Sequence, residues 1–215
     1  MGARTRIKIC GVSRPDDIAA AVAAGADAVG FVFHPASPRF VAVERAAALA
    51  RDLPPFVTPV GLFVDAARAA VEAALSAMPQ LVLQFHGDES AAECAAFGRP
   101  FLKAARMAPG IDLLDFARRF EAAQGLVLDA HVDGYGGGGK VFDWQLVPRD
   151  AFHRLVLSGG LRAANVGAGI RELRPWAVDV SSGVESARGV KDPAAIRAFC
   201  DAVREADSLI DASIS

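Results

Sequence analysis

The feature that most restricts how this chain can fold is one pattern met eight times in succession: a short run of β-formers, a loop, then an alanine-rich stretch of helical period. The pattern predicts strands over 7–10, 28–33, 58–63, 81–85, 101–104, 125–129, 152–157 and 177–180. The helices that follow are predicted over 13–24, 43–53, 65–77, 89–96, 112–123, 162–173 and 193–205, with a poor one near 144–147 after strand six. Local punctuation agrees. Ser13 is placed to cap the first helix, with Pro15 and Asp16-Asp17 in its first turn and Gly25 at its end, and Pro54-Pro55 and Pro79 stop the next two.

Strands alternating with helices form a parallel sheet through right-handed crossovers, and near-continuous apolar strands fit burial on both faces. Eight such units without a low-complexity linker predict an α/β fold closed as a (β/α)8 barrel, a single domain over 1–206 with a fraying tail at 207–215. The rival is an open doubly wound sheet. It usually has fewer strands, and a dinucleotide-binding one shows Gly-x-Gly-x-x-Gly after its first strand. Cys10-Gly11-Val12-Ser13-Arg14-Pro15 does not.

Composition removes several classes of function. Lys+Arg 23 against Asp+Glu 25 leaves a net charge of −2, so no basic footprint for nucleic acid or a membrane surface is present. Cys10, Cys94 and Cys200 are odd in number and lack Cys-x-x-Cys spacing, which argues against a disulfide framework or a zinc ribbon and for a reducing, cytoplasmic setting. No apolar run has signal-peptide or bilayer-spanning length. The four histidines, His34, His86, His131 and His153, show no helical ligand spacing, so no metal is assigned.

In a barrel of this kind the active site lies at the C-terminal ends of the strands. The residues gathered there are polar or glycine: Cys10-Gly11, Ser37-Pro38-Arg39, Asp65, Gln84-Phe85-His86-Gly87, Asp129-Ala130, Ser158-Gly159-Gly160 and Ser181-Ser182-Gly183. Alternation turns Lys8 and Cys10 inward and Ile7 and Ile9 toward the helices, and puts Asp129 on the face of Val127 and Ser181 on that of Asp179. A strand cysteine is often only a small buried hydrophobe. Here a charged neighbour, Lys8, would favour the thiolate, the form that accepts a proton. Asp129 reads either as a capping or salt-bridged aspartate or as a general acid, with Asp179 and a substrate phosphate as the neighbouring negative charge.

The loops after strands seven and eight, with Gly159-Gly160 and Ser182-Gly183, can cradle a phosphate with backbone N–H groups beside a helix N-terminus. Arg39 reads as a surface ion pair or as a planar fork for a carboxylate. Lys8, Gln84, His86 and Asp179 are further candidate substrate contacts, with His153 structural. The run Gly134-Tyr135-Gly136-Gly137-Gly138-Gly139-Lys140 has phosphate-loop spacing but continues with Val141, which cannot hold magnesium. Gly136, Gly137, Gly138 and Gly139 therefore read as a flexible loop or as a mobile lid.

Taken in order, Lys8-Ile9-Cys10-Gly11, Gly30-Phe31-Val32-Phe33, Ser37-Pro38-Arg39, Val60-Gly61-Leu62-Phe63-Val64-Asp65, Gln84-Phe85-His86-Gly87-Asp88-Glu89, Leu128-Asp129-Ala130, Phe142-Asp143-Trp144, Ser158-Gly159-Gly160-Leu161 with Asn165-Val166, Val178-Asp179-Val180-Ser181-Ser182-Gly183-Val184-Glu185 and Gly189-Val190-Lys191-Asp192 resemble the phosphoribosylanthranilate isomerase family of tryptophan biosynthesis. The resemblance implies a single-domain barrel without cofactor or metal, acting on the small molecule N-(5-phosphoribosyl)anthranilate as a monomer or homodimer. It implies that Asp129 protonates the furanose oxygen and that Cys10 removes the C2 proton of the opened sugar. It also implies that Arg39 holds the anthranilate carboxylate and that the two glycine loops hold the phosphate. The chain departs from the family at Val12-Ser13, at Phe85, and at Gly136–Gly139, where a Thr or Ser is often found. Competing readings are another phosphoribosyl-ligand barrel of tryptophan or histidine synthesis, a pyridoxal-phosphate carrier using Lys8 or Lys103, and a non-catalytic phosphate-ligand barrel.

Overall fold

A computed structural model describes residues 4–108, 110–130, 142–148 and 154–214 of the chain. Eight strands, β1 (Arg6–Cys10), β2 (Ala28–Val32), β3 (Thr58–Phe63), β4 (Val82–Phe85), β5 (Phe101–Met107), β6 (Gly125–Ala130), β7 (Leu155–Leu157) and β8 (Ala177–Val180), pair in chain order and close into a parallel barrel. The helices are α1 (Pro15–Ala23), α2 (Val43–Ala50), α3 (Arg68–Ala77), α4 (Ala91–Ala95), α5 (Leu113–Arg119), α6 (Ala163–Leu173) and α7 (Pro193–Ile214), with a 3-10 turn at Trp144–Leu146.

The two faces of each strand carry different work. Ile7, Ile9, Val29, Phe31, Phe63, Leu83 and Val178 point outward and pack with Ile18 of α1, Leu49 of α2, Val71 of α3, Ile170 of α6 and Phe199 of α7 in one apolar layer. The alternate residues point inward. Ala104, Val127, Val156 and Ala177, from four successive strands, form an apolar layer inside the barrel. The residues two further along β6 and β8 are Asp129 and Asp179, which sit on the mouth side of that layer. Lys8 and Cys10 share the inward face of β1, as their alternation predicts.

β8 returns to β1 with Lys8 opposite Asp179, and the Lys8 Nζ donates to Asp179 Oδ2 at 2.9 Å with both side chains buried. Pairing lets two charges stay in the interior, where either alone would cost about 3–5 kcal/mol.

The structure extends or redraws several sequence expectations. β5 continues past Ala104 because Arg106 and Met107 find partners in Asp129 and Ala130 of β6. α1 starts at Pro15, not Ser13: the buried Asp17 reaches back, and its carboxylate accepts the N–H groups of Ser13 and Arg14. An antiparallel hairpin, β9 (Glu185–Ala187) and β10 (Val190–Lys191), follows β8 and was not expected. The tail expected from 207 is instead helical, since α7 continues to Ile214. The Asp207 carboxylate there accepts from Thr5 N at 2.8 Å and from Thr5 Oγ1 at 2.7 Å. No described helix is long and apolar enough to cross a membrane.

Asp207→Ala should therefore lower stability in urea unfolding by about 1–3 kcal/mol, the size of hydrogen bonds to a charged group. A frayed tail would give no change.

Candidate active site

A cleft opens at the C-terminal ends of the strands and spans about 730 Å³ including its part open to solvent, which suits a small-molecule ligand. Of the residues singled out in the sequence, Cys10, Arg39, His86, Asp129, Gly159, Gly160, Asp179, Ser182 and Gly183 line it. Val32, Leu62, Val64, Leu161 and Val180 supply apolar wall, and His34, Ser37, Ser158 and Ser181 complete the polar lining.

Cys10 ends β1 with its side chain over Gly30 of β2. A Cβ at Gly30 would lie 2.7 Å from the Cys10 sulfur, so only glycine leaves room for the thiol. Burial pushes the Cys10 thiol above its ordinary value of 9.0; Asp179 adds to that, while the ammonium groups of Lys8 and Lys191 act against it. The expected lowering by Lys8 is thus present but outweighed by desolvation. For Lys8 itself burial works against the charge, yet Asp179 and Cys10 together raise its pKa. Lys8 is therefore a counter-charge under the cleft and is not part of its lining.

Asp129 stands near the end of β6 and is linked to two residues of the β4 end. Gln84 Nε2 donates to His86 Nδ1 at 3.1 Å, which leaves the ring proton on Nε2. His86 Nε2 then donates to Asp129 Oδ2 at 2.9 Å. Gln84 is fully buried and also absent from the lining, so it meets the cleft only through His86. Asp179 presents a second feature: among the described residues its Oδ1 is buried without a hydrogen-bond partner.

Arg39 is buried, and its Nε and Nη2 donate to the two oxygens of Glu185 at 2.7 and 2.9 Å. The fork expected to be open is thus half occupied, while Nη1 makes no hydrogen bond among the described residues. Gly11 permits this placement, because a Cβ there would lie 2.6 Å from Arg39 Cδ. Glu185 also accepts from Lys191 Nζ at 2.8 Å and from the Gly189 N–H at 3.1 Å. Burial alone would raise its pKa, but the bonds from Arg39 and Lys191 bring it down to about 2.

Along the same mouth the loop after β7 meets the loop after β8. A Cβ on Gly183 would fall 1.8 Å from the Leu161 carbonyl oxygen, so the two loops touch only because that residue is glycine. Behind Gly159 and Gly160 rises the N-terminus of α6, whose first N–H groups have no partner within the helix. Asn165 fixes the entry, donating to the Gly160 carbonyl and accepting the Arg162 N–H.

One alternative from the sequence finds no place here. Lys103 lies on the outer side of β5, where its Nζ donates to Glu89 and to the Gly87 carbonyl, so it cannot carry a cofactor at the mouth. The expected lid glycines, Gly136 to Gly139, and His131 and His153 lie outside the described residues. Glu185 and Lys191 entered the sequence analysis only among the residues that carry the family resemblance, with no role assigned to them. Their signal was the run Gly189-Val190-Lys191-Asp192 following Val184-Glu185 directly after a strand end.

The sequence model of the N-(5'phosphoribosyl)anthranilate (PRA) isomerase family matches residues 7–202. An N-(5'-phosphoribosyl)anthranilate isomerase of Methylibium petroleiphilum is 67% identical over 210 residues, covering 98% of this chain and 99% of that protein. The crystal structure of phosphoribosyl anthranilate isomerase from Thermotoga maritima superposes with a TM-score of 0.85 at 39% identity, covering 94% of this chain and 99% of that one. A phosphoribosyl anthranilate isomerase crystallised with reduced 1-(o-carboxyphenylamino)-1-deoxyribulose 5-phosphate gives a TM-score of 0.82 at 36% identity, covering 94% of this chain and 99% of that one.

The raised thiol has a measurable sign. Because only the thiolate reacts, the rate of Cys10 alkylation by iodoacetamide should be low at neutral pH and still rising above pH 9. A plateau reached below that pH, read by peptide mass spectrometry, would mean that the ammonium groups dominate over burial. Cys94 and Cys200, pushed up to about 11 and fully buried, should lag behind.

Proposed function

The chain belongs to the N-(5'-phosphoribosyl)anthranilate isomerase family, and from that premise we propose that Cys10 is the base and Asp129 the acid of its reaction. That reaction is the isomerisation of N-(5-phosphoribosyl)anthranilate, an Amadori rearrangement of tryptophan biosynthesis. It gives 1-(2-carboxyphenylamino)-1-deoxy-D-ribulose 5-phosphate. The observation that carries the assignment is that Cys10 and Asp129 face one cleft from different strands, one beside ammonium groups and the other bonded to an imidazole N–H.

Asp129 gives a proton to the furanose ring oxygen, the C1–O bond breaks, and a protonated Schiff base forms at C1. The carboxylate left behind is stabilised by the hydrogen bond from His86 Nε2, whose tautomer Gln84 sets. Cys10 then takes the proton from C2, and the electrons of that C–H bond flow toward the iminium nitrogen to form the enolamine. The base is the thiolate, formed when the Cys10 thiol has given its proton to solvent before substrate closes over it; burial disfavours that form, while the ammonium groups of Lys8 and Lys191, and then the iminium charge, favour it. Tautomerisation of the enolamine completes the ketose. Hydrogen is redistributed within the substrate, so no external oxidant or reductant enters the balance.

The substrate carries an anion at each end, and the cleft offers a match for both. The phosphate lies at Gly159-Gly160 and Ser182-Gly183 by the N-terminus of α6, and the anthranilate carboxylate lies at Arg39. Asp179 Oδ1 accepts a hydroxyl of the opened sugar. Every element of this site comes from one polypeptide, so the chain can act as a monomer or as a homodimer. Its three cysteines are all free, in keeping with a cytoplasmic protein.

Turnover of freshly made substrate, followed by loss of its fluorescence, tests the assignment. Cys10→Ala and Asp129→Asn should each reduce kcat by about 10²-fold or more, as expected for a lost acid or base. A Cys10→Ala enzyme near wild-type rate would move the base to another group.

A further inference from the structure

Arg39 and Glu185 alone would make a neutral pair, a poor receptor for another carboxylate. Lys191 changes that balance. It is fully buried, lies outside the cleft lining, and donates to Glu185 Oε1 at 2.8 Å and to the Ser181 carbonyl at 2.9 Å. With Lys191 protonated, two cations share one carboxylate and the cluster is net positive in a largely desolvated place; burial lowers the Lys191 pKa, and its bond to Glu185 acts against that. Buried charge of that kind calls for a counter-ion. Neighbouring Lys8 and Asp179 already balance each other.

We propose that Lys191 is a positioning residue for substrate recognition, acting through Glu185 on Arg39. The inference rests on the reading of Arg39 as the carboxylate site. Glu185 holds the Nε–Nη2 edge of the guanidinium, and Lys191 and the Gly189 N–H hold Glu185. Arg39 is thereby fixed with one edge used, and the second cation keeps the ensemble positive until an aromatic carboxylate arrives. Bound substrate brings the count to two cations and two anions. The same lysine reaches the catalytic strand, since its Nζ also donates to Ser181 Oγ at 3.3 Å and that hydroxyl donates to the Cys10 carbonyl at 3.1 Å. The β9–β10 hairpin therefore ties the carboxylate end of the substrate site to the base.

The test compares two ligands by calorimetry: the reduced product analogue bearing the benzoate carboxylate, and the same anilino sugar alcohol phosphate without it. Lys191→Met should weaken the carboxylated ligand by about tenfold or more, the scale of one charge-assisted hydrogen bond, and the other by less than about twofold. Lys191→Arg should restore most of the preference. Lys191→Gln keeps hydrogen-bonding capacity toward Glu185 and Ser181 without the charge, and serves if the methionine variant does not fold. Equal weakening of both ligands, or of neither, would overturn the proposal and leave Lys191 a structural residue. Arg39→Met separates the two readings. If it discriminates between the ligands and the Lys191 variants do not, only this inference falls; if it does not discriminate, the carboxylate site is elsewhere and both fall.

Discussion

A closed barrel has one seam where the last strand must find the first, and here two buried charges lie across it. Lys8 and Asp179 sit opposite each other in the β1–β8 register and bond at 2.9 Å. A slip of either strand by one residue would turn its charge into the apolar layer packed by the helices and leave the other charge without a partner inside the barrel. β1 is also held from outside the barrel: Asp207 of α7 accepts from Thr5, and on its other side Asp27, just before β2, accepts from Arg4 and from the Ile7 N–H. Fixing this register also fixes Cys10, which is two residues beyond Lys8 on the same inward face. The position of the proposed base follows from how the barrel closes.

The cleft then depends on a division between the two ends of its ligand. In the proposed assignment, backbone N–H groups and a helix N-terminus serve the phosphate, a group that needs many donors and little discrimination. The proposed partner of the carboxylate, a planar group for which orientation matters, is an arginine locked by a glutamate that a lysine also holds. The same cleft is lined by the thiol and the aspartate proposed to move protons. Small residues make the assembly possible: Gly30 leaves space for the sulfur, Gly11 lets the Arg39 side chain pack against the chain just beyond β1, and Gly183 lets the loops after β7 and β8 touch.

The strand–helix alternation was legible because each unit buries a complete apolar face, so all eight strands and the closed order could be read from the residues. The inward face of β1 and the gathering of Cys10, Asp129 and the two glycine loops at one mouth followed from parity and from the rule for strand ends. What escaped reading depends on partners far away in the chain. The end of β5 contains Arg106, which looks like loop until β6 pairs with it. Asp17 caps α1 from inside the helix, a role that Ser13 seemed better placed to fill. Lys103, weighed as the lysine of a cofactor carrier, points outward to Glu89. The β9–β10 hairpin is five residues of strand with mixed polarity, and only the tertiary bonds of Glu185 and Lys191 reveal its purpose. The direction of the Cys10 shift needed the degree of burial, which a sequence does not state.

The central claim is that Asp129 serves the ring-opening step and Cys10 the C2 step. The most direct test is the primary isotope effect on turnover with substrate deuterated at C2 of the sugar, measured for wild type, Asp129→Asn and Cys10→Ala. The account predicts that the effect is fully expressed in Cys10→Ala, where removal of the C2 proton has become slowest. In Asp129→Asn it should fall toward unity, because ring opening then limits the rate. The reverse pattern, or equal effects in both variants, would contradict the division of labour.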